Sequence, residues 1–111
     1  MIRKKILIPE RVRTAGNSFG FIPHRFLTDG FLQSLTLHEL ALYVFLVLAG
    51  DRNGISFYGD RSICNILGFR SGDYVFARSN LIHKNLITYD GTLFQVLSLP
   101  KIDNNDTKRN P

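Results

Sequence analysis

The chain has 111 residues, 44% of them hydrophobic, a formal net charge of +5 and a single cysteine. This length fits one domain with one core, and a lone cysteine excludes an intrachain disulfide framework. The longest apolar run, Leu40–Ala49, is ten residues, half of the about 20 needed to cross a bilayer. The short run Ile6–Ile8 behind the basic start is too brief for a signal peptide, so a cytoplasmic location and no membrane partner are expected.

The charge is unevenly placed. Residues 1–25 hold six basic side chains, Arg3, Lys4, Lys5, Arg11, Arg13 and Arg25, against Glu10 alone, whereas residues 26–100 hold five basic and six acidic ones. Residues 1–20 therefore read as a basic arm, with one short strand at Lys5–Ile8. Such an arm either lies along a polyanion or simply solubilises the terminus. Gly16-Asn17-Ser18 marks a loop, and Pro23 opens a helix that should run to about Leu35. Thr36-Leu37-His38-Glu39 has the form of a capping box, and the helix behind it should run to Ala49 and stop at Gly50. That helix is apolar on nearly every side, so most of its surface needs cover. Either the N-terminal segment folds over it, or a second copy of the chain does, giving a homodimer.

Asp51-Arg52-Asn53-Gly54 has turn composition, and Ile55–Tyr58 reads as a strand. Asp60 is placed to cap a helix over Arg61–Leu67, and Ser71 to cap another running to about Asn85, with Asp73 in its first turn. Leu86–Tyr89, Asp90-Gly91 and Thr92–Leu97 form a hairpin signal, with Asp-Gly suited to the centre of a type I′ turn. Pro100 ends it, and residues 100–111 read as a disordered polar tail.

The segment Ile63-Cys64-Asn65-Ile66-Leu67-Gly68-Phe69 organises the whole. Ile63 and Leu67 share one helix face, Cys64 is small enough for a close helix crossing, and Gly68 can adopt the left-handed conformation of a tight turn. Tyr74, Ala77 and Leu81 then recur at the spacing of one helix face. The expected fold is mainly α with a small β-sheet, over residues 21–99. With Phe21-Ile22-Pro23, Leu35–Leu40 and Asp51–Phe57, this order resembles a winged helix-turn-helix, similar to the N-terminal domain of plasmid- and phage-type replication initiation proteins.

The resemblance implies a partner, double-stranded DNA, read by the outer face of the helix at about 71–85. Carried onto this chain, the candidate DNA-binding residues are Arg70, Ser71, Gly72 and Ser79, together with Arg3, Lys4, Lys5, Arg11 and Arg13 of the arm. Asp73, Val75 and Phe76 occupy the same face and depart from the polar pattern. Arg78 falls where a core leucine is expected, and the hairpin tip Tyr89–Thr92 carries no base. A role in plasmid or mobile-element replication or in transcription control follows from the resemblance. The rival reading is a protein-interaction module built on the same fold, favoured by the near-neutral body and the apolar outer face.

No residue set suggests an enzyme, a cofactor, a metal or a small-molecule substrate. His38-Glu39 begins like a zinc-protease motif, but Leu42 stands where the second histidine belongs. His24, His38 and His83 lie in separate elements without a cysteine pair, outside zinc-ligand spacing. Gly16–Gly20 lacks the Gly-Lys-Ser/Thr ending of a phosphate loop, and Cys64 reads as a packing residue.

Overall fold

Thr36 and Glu39 start the central helix α2 (Leu37–Ala49) as the capping box requires: the Thr36 hydroxyl accepts the Glu39 N–H, and the Glu39 carboxylate accepts the Thr36 N–H, both at 3.2 Å. A computed structural model describes residues 4–14, 16 and 18–101. Its other helices are α1 (Arg25–Thr28), α3 (Asp60–Leu67) and α4 (Ser71–His83). Strands β1 (Ile55–Ser56), β2 (Ile87–Tyr89) and β3 (Phe94–Val96) form an antiparallel sheet in the order β1-β3-β2. Register pairs Ser56 with Phe94, and Tyr89 with the same Phe94.

The core lies where α2, α4 and the sheet meet. Leu42, Tyr43 and Leu46 of α2, Ile63 of α3, Tyr74, Ala77 and Leu81 of α4, Leu86 just ahead of β2, and Ile87 and Phe94 of the sheet are all buried. Phe26 of α1 stacks on Tyr43 with ring centroids 4.9 Å apart. Through Phe26 the segment ahead of α2 seals one side of the core.

Several local expectations are corrected. Lys5–Ile8 is not a strand, because among the described residues no neighbouring strand offers it a ladder; a single 3₁₀ turn forms at Pro9–Arg11, with proline at its first position. The helix expected over Pro23–Leu35 is broken into α1 and a 3₁₀ turn at Leu32–Ser34, because Gly30 takes a φ of 87° between them. The N-cap of α3 is Gly59 rather than Asp60, and that of α4 is Arg70 rather than Ser71; neither makes a side-chain cap. Helix α4 ends at His83, two residues short, where Asn85 turns to a φ of 62°.

The first strand stops at Ser56 instead of reaching Tyr58. At the hairpin tip the central residues are Gly91-Thr92, since Asp90 N–H bonds the Leu93 carbonyl. Only Gly91 has positive φ there, which excludes type I′, whose two central residues both need it. The Asp90 carboxylate accepts the Thr92 and Leu93 N–H groups at 2.8 and 2.6 Å. It is a turn-former here, and those two bonds hold its pKa below the ordinary carboxylate value. Arg3 and residues 102–111 of the expected tail lie outside the described residues.

Candidate nucleic-acid interface

Helix α3 ends as its sequence dictates. Gly68 sits at a φ of 70° and ψ of 31°, a conformation that costs an L-residue about 1–2 kcal/mol and glycine nothing. The chain turns there, and Phe69 N–H bonds the Cys64 carbonyl at 3.0 Å. The Phe69 ring then meets His38 edge-on, 4.7 Å between centroids. This contact seats the turn against the start of α2.

Helix α4 consequently has two different sides. Tyr74, Ala77 and Leu81 point into the core, while Arg70, Ser71, Gly72, Val75, Phe76 and Ser79 are exposed. The four candidate contact residues, the N-cap Arg70 and Ser71, Gly72 and Ser79 of the helix, are therefore accessible, as are two apolar neighbours, of which Phe76 is 68% exposed. Asp73 leans toward α2, its carboxylate 4.0 Å from His38 Nε2. Arg70 is the one guanidinium at the entry of α4. It makes no ion pair or side-chain hydrogen bond among the described residues.

Arg78 explains itself in three dimensions. Its guanidinium lies 5.1 Å from the Tyr74 ring centroid and 4.8 Å from that of Tyr89, with Nη1 3.4 Å from Asp60 Oδ1. The same Asp60 oxygen accepts the Tyr74 hydroxyl at 2.6 Å and the Tyr89 hydroxyl at 3.4 Å. Burial, and then the hydrogen bond to Asp60, raise the Tyr74 phenol well above its usual pKa, so it stays a donor. The node joins the start of α3, the middle of α4 and strand β2, and so fixes the hairpin beside the helix pair. Sequence reasoning missed it; the signal was Arg78 itself, a base where an apolar residue was expected.

The arm presents Lys4, Lys5, Arg11 and Arg13 as exposed side chains. The sixth base of the N-terminal quarter is spent on structure, since Arg25 bonds Asp29 and the Pro100 carbonyl, both at 2.7 Å. Among the described residues no hydrogen bond or ion pair joins the arm to α4. The structure therefore leaves Arg70, Ser71, Gly72 and Ser79 exposed at the N-cap and along α4, with no bond among the described residues tying the arm to them.

An open depression of about 590 Å³ lies at β1, lined by residues including Asp51, Ser56, Phe57 and Ser62. Asp51 is occupied there with the Asn53 and Ile55 N–H groups. Among the described residues no cluster of His, Cys, Asp and Glu could hold a metal ion, and no helix is long and apolar enough to cross a membrane. No family model, curated protein or solved structure matches the chain.

Proposed function

We propose that the chain binds double-stranded DNA as a winged helix-turn-helix module. Helix α4 enters the major groove, the β2–β3 hairpin flanks it as the wing, and the arm lies along phosphates. The observation that carries this reading is the pair α3–α4 joined at Gly68, with the outer face of the second helix accessible from Arg70 to Ser79. The sheet order supports it, because β1, ahead of the helix pair, holds the hairpin by pairing with β3.

Each residue has a role set by its chemistry. Arg70 has five donors in a planar fork and reads guanine through O6 and N7. Ser71 and Ser79 donate to a base edge or a phosphate, and Gly72 lets the backbone come close. Lys4, Lys5, Arg11 and Arg13 neutralise phosphates, each contact adding about −0.9 to the slope of log affinity against log salt. Arg3 belongs with them by sequence. Plasmid or mobile-element replication and transcription control are the settings in which the resembling domains act.

Titration separates grip from readout. Deleting residues 1–13 should weaken binding to every duplex and flatten its salt dependence. Arg70→Ala should cost about 1–3 kcal/mol on a selected site and far less on random duplex. A parent chain that binds no duplex at low salt would overturn the proposal. The exposed Val75 and Phe76 would then favour the second reading, a protein-interaction module, because an apolar helix face suits a protein partner better than phosphate.

A further inference from the structure

Helix α2 is covered on only part of its circumference. Glu39, Leu42, Tyr43 and Leu46 face the interior. The N-terminal segment closes one flank so tightly that a Cβ at Gly20 would lie 2.8 Å from the Val47 carbonyl oxygen. On the other flank Phe45 takes the Tyr58 ring edge-on at 5.0 Å. What remains is a stripe of Leu37, Ala41, Val44 and Leu48, none of which belongs to the core or to the half-buried residues packed on it. Its two ends are 84% and 69% exposed, and Ala41 and Val44 between them are half-buried.

We infer that this stripe is a two-fold seam on which a second copy of the chain docks, the two α2 helices running antiparallel. Steps of four, three and four residues keep all four side chains on one helix face, as in paired helices. The spacing reads the same in both directions. An antiparallel partner therefore sets Leu37 against the partner's Leu48, and Ala41 against the partner's Val44, at both halves of an isologous contact. The small Ala41 near the axis permits close approach, and leucine pairs close the two ends.

Charge agrees with this geometry. The one carboxylate of α2, Glu39, is turned inward to Asn80 and Lys84, and His38 is drawn toward Asp73. The stripe is thus neutral, and two copies meet without like-charge repulsion. Antiparallel packing also opposes the two helix dipoles. The exposed Phe57, which lines a depression with Ala49 and Tyr58 at the C-terminal end of the helix, adds apolar area on the flank beside the stripe. That matters because α2 alone is about 20 Å long, and stable pairs bury about 800 Å² per partner. Helix α4 packs on the opposite side of α2, so its outer face stays free in the pair. The inference does not depend on DNA binding.

Sedimentation of the full chain tests it. The parent should be a dimer, and Leu37→Lys or Leu48→Glu alone should give monomers with unchanged helical circular dichroism, since both side chains are exposed. The double variant carrying both substitutions should return to a dimer, because each lysine then faces a partner glutamate. As a second measurement, Leu37→Cys and Leu48→Cys together in a Cys64→Ser background should oxidise to a covalent dimer. A monomeric parent, single variants that remain dimers, or a lysine–glutamate double variant that stays monomeric while the cysteine double variant forms no cross-link would each overturn the seam.

Discussion

Helix α4 is held by a polar node on each flank, and water reaches the two very differently. Toward α2, the Glu39 carboxylate is 2% exposed and accepts from Asn80 Nδ2 at 2.8 Å and from Lys84 Nζ at 2.7 Å. Lys84 also bonds the Ser34 carbonyl at 2.7 Å. Toward the sheet, Asp60 gathers Tyr74, Arg78 and Tyr89, but its side chain is 56% exposed. A buried charge is expensive once it loses its partners, whereas an exposed pair contributes little and is screened by salt. The inner node thus decides whether α4 is seated at all, and the outer one decides how the hairpin stands beside it.

The largest expected effect comes from removing the inner acceptor. Glu39→Ala removes the reciprocal half of the α2 capping box and leaves Asn80 and Lys84 facing a gap, which should cost about 2–4 kcal/mol. Chemical denaturation of parent and variant measures it; a loss no larger than that of an outer-node variant would erase the contrast between the flanks.

Acid sharpens the same contrast. Burial pushes the Glu39 carboxyl up, but hydrogen bonds from Lys84, Asn80 and the Thr36 N–H outweigh it and leave its pKa below the ordinary 4.5. A depressed carboxyl contributes stability above its unfolded pKa and loses it as pH falls through the folded one. Stability should therefore drop on acidification below about pH 4.5, and more weakly in Glu39→Gln. The residual acid sensitivity of that variant belongs to Asp51 and Asp90, whose carboxyls are also held low by backbone N–H groups.

The smallest effect is expected at the outer node. Arg78→Ala removes one ion pair and two ring contacts, worth about 1 kcal/mol together. That cost should shrink in high salt, as the Glu39 cost should not. Hydrogen exchange should speed up at β2 and β3 while α2 stays protected; equal acceleration in both regions would show that Arg78 supports the whole core.

Local chemistry was legible in the residues themselves. The capping box at Thr36 and Glu39, the left-handed Gly68, and the buried set Tyr74, Ala77 and Leu81 all follow from rules that act within one or two helical turns, and the structure has each of them. The exposure of Arg70, Ser71, Gly72 and Ser79 follows too, since a helix that buries one face must offer the other. Less legible were the places where a short-range rule meets a competitor. Asp60 has the chemistry of a cap, yet Tyr74, Arg78 and Tyr89 claim its carboxylate. Lys5–Ile8 has strand composition, but a strand is a relation between two segments, and among the described residues no second one pairs with it.

What the sequence by itself determined, then, is the order of helices and strands from Thr36 onward, the turn at Gly68 and the two-sided character of α4. Periodicity, caps and left-handed glycines depend only on neighbours along the chain. Tertiary structure alone decided three other things: that Glu39 serves α4 as well as its own helix, that Arg78 rests on two tyrosines, and that the N-terminal segment covers one flank of α2 but not the stripe from Leu37 to Leu48. Each is a contact between residues far apart in the chain, and its energy exists only once the backbone has brought them together.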